Sequence, residues 1–264
     1  MSDSDRYTTK TFKPSAQSDE IPSWGCVAIT LDPKGKRYQT FLENNNHLQV
    51  DTFYGIKGAH LSREEIISQG LATEDLLASG LTNSGTIGCA ASHREIWRKV
   101  AIGKRGYLVL EDDCYTHHKI KSFINDKLTR LMNIDICYFG INTDSILQSV
   151  CPTGLSTVKI FGERHPSKEW IMNSFSKTDE QAVELHRLIK AFGNCAYFIS
   201  PKGAKELAEK IFPLSTKTTH IPLVTNKMPA CGLDRAANGV YSQLQAFVCQ
   251  PFLAYTPNTD SATK

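Results

Sequence analysis

Three carboxylates stand in a row at Glu111-Asp112-Asp113, directly after the apolar run Tyr107-Leu108-Val109-Leu110. Adjacent like charges repel, and burying them without partners is expensive, so the cluster is either solvated or holds something positive. Ligands of open α/β sheets bind beyond the carboxyl ends of strands, and the triplet stands at such an end. If the chain stays extended there, Glu111 and Asp113 point to one side and Asp112 to the other. Carboxylates at i and i+2 can share a hard divalent cation. Magnesium and manganese take oxygen ligands and commonly bind one or two carboxylates together with substrate phosphates. A metal–diphosphate site is one reading. A solvated acidic turn is the other, because strand ends open into polar loops. A phosphatase-type D-x-D-x-T does not fit, since Glu111 stands at the nucleophile position and Tyr115 at that of the threonine. The chain has neither a G-x-x-x-x-G-K-[ST] phosphate loop nor a G-x-G-x-x-G. His117 and His118, just past the strand, read as polar loop more readily than as metal ligands.

The elements around the triplet alternate in type. Trp24–Leu31, Asp51–Gly55, Tyr107–Leu110, Ile134–Gly140, Cys195–Ile199 and Ala246–Leu253 read as strands. Helices are expected at Lys34–Asn44, at Arg63–Ser79 with a break at Gly70, and at Gly88–Ile102. Further helices are expected at Ser122–Met132, near Asp179–Ala191, at Pro201–Ile211 after a Ser200 cap, and at Asp234–Tyr241. Residues 142–190 otherwise read as irregular and Leu214–Ala230 as loop-rich. Alternating strands and helices predict an α/β fold with a mostly parallel central sheet.

The totals fit one large domain: 264 residues, 41% hydrophobic and 22% charged, with a net charge of +3 from 30 basic and 27 acidic residues. That balance neither demands nor excludes an anionic partner. Residues 1–22 form a polar lead without an apolar signal core, and no stretch approaches the roughly 20 apolar residues of a membrane span. The expectation is a protein that stays where it is made and does not insert stably in a membrane. The eight cysteines form no C-x-x-C pair, and Cys26, Cys137 and Cys249 sit in apolar runs. They read as reduced thiols of a cytoplasmic protein, or of the host cytoplasm if the chain is viral.

Gly88-Cys89-Ala90-Ala91-Ser92-His93, with Trp97 following and then the strand ending Leu110-Glu111-Asp112-Asp113, resembles glycosyltransferase family 25 and its G-C-x-x-S-H and E-D-D patterns. Ala28-Ile29-Thr30-Leu31-Asp32 with Arg37 resembles the family's opening I-N-L-D...R, with Thr30 where asparagine is usual. Tyr54-Gly55-Ile56-Lys57-Gly58 resembles its second strand and glycine. Gly193-Asn194-Cys195-Ala196-Tyr197-Phe198-Ile199-Ser200 with Lys202-Gly203-Ala204 resembles G-x-x-A-Y-x-I-S-x-x-G-A. Leu233-Asp234 and Gln250-Pro251 match the closing signals. The ordered set spans roughly residues 26–253.

The resemblance implies a GT-A type nucleotide-sugar-binding fold, a nucleotide-sugar donor (usually a uridine diphosphate sugar), Mn2+ or Mg2+, and inversion at the sugar carbon. Polar composition and the lack of a linker divide the chain into a flexible polar tail at 1–22, a single domain at 23–255, glycosyltransferase-like by the resemblance, and a polar tail at 256–264. Asp113 and then Glu111 are the expected metal ligands, with Asp112 orienting sugar or ribose. Donor contacts are expected from Thr30, Leu31, Asp32, Arg37, Gly55, Gly58, Ser92, His93, Glu111, Asp112, Asn194 and Tyr197. Ser92 and His93 lie in the first turns of a helix, whose N-terminus favours anions, although capping and packing would also explain them. Asp234 is the candidate base for the acceptor hydroxyl, with an N-cap role as the alternative and Asp179 or Glu180 as weaker candidates.

The acceptor is open between a surface glycan, a protein and a hydroxylated DNA base. Arg94, Arg98, Lys99, Lys104, Arg105, Lys119 and Lys121 would supply a phosphate-binding face for DNA, against a low net charge. A nucleotide-sugar-binding module without catalysis is the reading from another class. Oligomeric state is not readable from the sequence.

Overall fold

The computed structural model describes residues 23–219 and 228–257. The expected N-terminal tail (1–22), residues 220–227 of the loop-rich stretch and residues 258–264 of the expected C-terminal tail lie outside the described residues. So does the side chain of Glu180.

In chain order the elements are β1 (Trp24–Thr30), α1 (Lys36–Asn44), β2 (Asp51–Tyr54), α2 (Arg63–Ser68), α3 (Glu74–Ser79), α4 (Ser84–Ala101), β3 (Gly106–Glu111), β4 (Tyr115–Thr116), α5 (Ile120–Asn133) and β5 (Ile136–Gly140). Then follow β6 (Ile146–Val150), β7 (Ser156–Ile160), α6 (Lys168–Ser176), β8 (Glu184–Lys190), β9 (Ala196–Ile199), α7 (Pro201–Ile211), β10 (Thr218–Thr219), β11 (Met228–Pro229), α8 (Leu233–Asn238), β12 (Ala246–Gln250) and β13 (Ala254–Tyr255).

One nine-stranded sheet, ordered β2-β1-β3-β9-β5-β12-β8-β6-β7, spans the molecule. Its members β2, β1, β3, β5, β12 and β6 run one way, whereas β9, β8 and β7 run the other. The fold is α/β of the GT-A type, with a sheet largely parallel at its core. Strand alternation explains both packed faces. Along β3, Tyr107 and Val109 join Trp97, Ile96 and Tyr197 beneath α4 and α7. Leu108 and Leu110 point the other way, with Phe123 and Ile124 of α5 and Phe41 of α1.

Local signals set several boundaries. Ser62 and Glu65 form a capping box that starts α2, and Gly70, at φ 63°, separates α2 from α3. Ser200 accepts the Gly203 N–H at 3.0 Å and Pro201 opens α7. The expected helix near Asp179–Ala191 is corrected: the segment is a short 3-10 turn and then strand β8. Leu185 and Leu188 sit three apart, which reads as helical, but antiparallel pairing with both β12 and β6 decides the outcome. Residues 142–190 also hold the β6–β7 hairpin and α6 rather than irregular chain. Strand β12 stops at Gln250, because Pro251 has no N–H to donate to a ladder. Residues 254–255 pair instead with β4. Thr256, assigned to the tail by sequence, is buried against Asp113.

Candidate functional site

Topology concentrates polar groups on one edge of the sheet. Parallel β1 and β3 end together, with Ile29 opposite Glu111. Antiparallel β9 starts where they end: Leu110 faces Ala196, and the Glu111 N–H bonds the Cys195 carbonyl at 2.9 Å. Asn194 therefore stands beside the carboxylates. The edge opens into a cleft of about 880 Å³, walled on the far side by the first turns of α4 and by the start of α8.

The chain turns immediately after Glu111, with the Cys114 N–H bonded to its carbonyl at 3.0 Å. The extended alternation expected across the triplet is thus replaced by a turn. Asp112 and Asp113 both meet one guanidinium: Arg37 Nε lies 2.7 Å from Asp112 Oδ1, and Nη2 lies 3.2 Å from Asp113 Oδ2. Helix α1 carries Arg37 there. Oδ1 of Asp113 is buried without a hydrogen-bond partner among the described residues. Burial and the charge of Glu111 push the Asp113 carboxyl up to about 6, with Arg37 opposing. A buried carboxylate oxygen without a partner, flanked by further carboxylates, is a donor set that fits a hard divalent cation.

Asp234 opens α8 beside the cleft. Its Oδ1 accepts the Arg235 N–H at 2.7 Å. Burial raises its pKa above the ordinary carboxylate value, against the Arg235 and Gly193 N–H groups and the Arg235 charge. Asn194 Oδ1 accepts the Tyr138 hydroxyl at 3.0 Å, and Tyr241 donates to Tyr138 at 2.8 Å. With its oxygen held, the Asn194 amide nitrogen is the group left for a ligand.

Of the residues expected from sequence, Thr30, Leu31, Asp32, Arg37, Gly58, Ser92, His93, Glu111, Asp112, Asp113, Asn194 and Asp234 all line this one cleft. Gly55 and Tyr197 do not. Gly55 lies behind the wall and bonds the Thr30 carbonyl at 2.7 Å. Tyr197 is fully buried, its hydroxyl between His93 Nδ1 and Trp97 Nε1. Ser92 is engaged within the fold: its hydroxyl donates to the Gly88 carbonyl at 2.7 Å and accepts the Ile56 N–H at 2.8 Å. Asp179 does not line the cleft, and neither does His117, which packs against Phe175. Arg94, Arg98, Lys99, Lys104, Arg105, Lys119 and Lys121 also lie outside its lining.

Sequence reasoning missed Lys36, Lys57, His60, Asn142 and the 83–86 turn, all of which line the cleft. One signal was available. Asn83 caps α4 by accepting the Thr86 N–H at 2.8 Å, so the helix begins a turn earlier than its apolar stripe. Cys89 was also passed over. Its Sγ, one His93 ring nitrogen and a Glu111 carboxylate oxygen lie within 4.8 Å of one another. The α4 wall sits close because Gly58 and Gly88 touch. A Cβ on Gly88 would fall 2.5 Å from the Gly58 nitrogen.

The sheet edge and its acidic cleft stand on an α/β fold of the GT-A type. The family model for glycosyltransferase family 25 (LPS biosynthesis protein) matches residues 28–221, and the chain belongs to that family. A glycosyltransferase 25 family member from Aedes aegypti is 25% identical over 236 residues, which is 83% of this chain and 34% of that protein. The chain thus spans about a third of the length of that relative. No helix among the described residues is long and apolar enough to cross a membrane.

Proposed function

We propose that the protein transfers a sugar, with inversion, from a uridine diphosphate sugar to a glycan hydroxyl in the cytoplasm. The observation that carries this reading is the meeting of the acidic triplet and Asp234 in a single cleft. The donor lies along the carboxyl ends of β1 and β3, against Thr30–Asp32 and Arg37. Asp113 and Glu111 hold the divalent cation, and Asp112 orients the sugar or ribose. When bound, the cation neutralises charge that builds on the departing diphosphate. Asp234 takes the proton from the acceptor hydroxyl; its raised pKa makes it a better base than an exposed aspartate. Asn194, fixed through Tyr138 and Tyr241, holds the donor or acceptor by its amide nitrogen. The family's description as an LPS biosynthesis protein supports a glycan acceptor. The placement of the seven basic residues outside the cleft lining weighs against DNA.

The test is calorimetry with a panel of nucleotide sugars, first with manganese and then with a chelator, followed by transfer assays on glycans and on hydroxymethylated DNA. Manganese-dependent binding of a uridine sugar, and its transfer to a glycan, is the expected result. Binding without turnover on any acceptor would leave a nucleotide-sugar-binding module. Binding of no donor would remove the reading.

A further inference from the structure

Trp97, Tyr197, His93 and Glu111 form a continuous line from the core to the cleft. Trp97 Nε1 lies 2.9 Å from the Tyr197 hydroxyl oxygen, that oxygen lies 2.8 Å from His93 Nδ1, and His93 Nε2 lies 3.5 Å from Glu111 Oε1. Trp97, Tyr197 and His93 are 1%, 0% and 1% exposed, so their polar atoms must find partners within the protein. An indole N–H can only donate, so the Tyr197 oxygen accepts from Trp97. The Tyr197 O–H then needs an acceptor of its own, and His93 Nδ1 is the one in reach among the described residues.

We propose that this line fixes neutral His93 in the tautomer with its hydrogen on Nε2, and that His93 is a positioning residue that presents that N–H to Oε1 of Glu111. The role given to Glu111 rests on the cation and donor reading above. The tautomer rests on the hydrogen bonds alone. A donor held against one carboxylate oxygen fixes the tilt of the group and leaves the second oxygen for the cation. Partners of this outer kind orient metal-binding carboxylates and tune affinity. The 3.5 Å separation is long for a hydrogen bond, as such contacts often are before the ligand arrives.

The same ring has a competing use. Cys89 Sγ and Glu111 stand within 4.8 Å of the ring nitrogen, so the three groups could take a soft cation. A ligating Nε2 must carry no hydrogen. The hydrogen would then sit on Nδ1, facing Tyr197, and the buried Tyr197 O–H would lose its acceptor. Burial also pushes the Cys89 thiol well up, which opposes thiolate formation. Both arguments favour the positioning role.

The experiment uses the full chain labelled with [15N]histidine. Two-bond 1H–15N correlation spectra distinguish the tautomers, and the signal lost in His93→Gln assigns the ring. The expected wild-type result is hydrogen on Nε2. Tyr197→Phe keeps the aromatic packing and removes the donor to Nδ1. It should convert the ring to a mixture or to the Nδ1–H form. It should also weaken manganese binding, measured by calorimetry with uridine diphosphate present, by about tenfold. Hydrogen on Nδ1 in the wild type overturns the proposal, and this arm needs neither the variant nor any ligand. A folded Tyr197→Phe protein with wild-type tautomer and manganese affinity overturns it equally. A wild type that binds no manganese with the nucleotide, whatever its tautomer, overturns the cation reading and the positioning role with it.

Discussion

Burial and the neighbouring carboxylates put Asp113 under electrostatic tension in the cleft. Its folded pKa of about 6 lies above the ordinary 3.8, so the folded state binds this proton more tightly than the unfolded chain. The group's contribution to stability is therefore fully present below the unfolded value of 3.8. It declines as pH rises through about 6, and at pH 7 the ionised side chain is a net burden. Asp113→Asn should raise the stability of the cation-free protein at pH 7 by on the order of 2 kcal/mol, with the gain shrinking toward pH 4.5. Urea denaturation at both pH values checks this. The same variant should lose metal-dependent donor binding, and unchanged affinity would remove Asp113 as a ligand. Asp234 predicts the opposite split. Asp234→Asn should keep donor affinity within a few-fold, while transfer falls about 10²- to 10⁴-fold. A fully active variant would mean that the base lies elsewhere. At this scale the triplet and Asp234 were legible from residue type and order. The grip of Arg37 on Asp112 and Asp113, the buried Thr256 and the engaged hydroxyl of Ser92 were not, because partners far apart in sequence create them.

Helix α4 is the element on which the site depends. Its first turn lines the cleft, its middle carries Ser92 and His93, and Trp97 anchors it in the core. The glycine pair at 58 and 88 sets its distance from the β2 loop. A Cβ on Gly88 would meet the Gly58 nitrogen and the Ile56 carbonyl oxygen at 2.5 Å, and backbone cannot swing aside as a flexible side chain does. Gly88→Ala should destabilise the protein by about 1–3 kcal/mol. It should also weaken donor binding by shifting the wall that carries Lys57 and Thr86. Thermal melting and calorimetry on the same preparation test both effects, and a variant with wild-type stability would refute the close-packing argument. Elements with a strong local signature were readable, as α7 was from Ser200-Pro201. Strand β8 was not, because its character comes from being clasped between β12 and β6, and its own leucine spacing points to a helix. The β6–β7 hairpin escaped notice because all five residues of β7 are exposed and carry no buried stripe.

Across the whole molecule, the proposed binding of cation and nucleotide would be linked to fold stability. A ligand that binds only the folded state stabilises it by about 2.7 kcal/mol at a hundred times its Kd, roughly 5 °C or more for a chain of this size. Manganese with uridine diphosphate should raise Tm by that amount at pH 7. The shift should be smaller at pH 5, where Asp113 takes up its proton below about 6 and disfavours the cation. Scanning fluorimetry at the two pH values is the check. A shift larger at pH 5 than at pH 7 would contradict a site built on this carboxylate.

By itself the sequence determined the α/β class, the acidic triplet at a strand end, the order of family-like segments and most helix starts. These depend on periodicity, caps and residue type, all of which are local. Only the tertiary structure decided that β9 runs antiparallel between β3 and β5, which sets Asn194 beside Glu111. It also turned Tyr197 away from the cleft to stand behind His93, and it filled the cleft wall with the 83–86 turn. The physical reason is the same in each case. Which way a strand runs, and which atom a buried hydroxyl bonds, are settled by long-range partners competing for the same buried space.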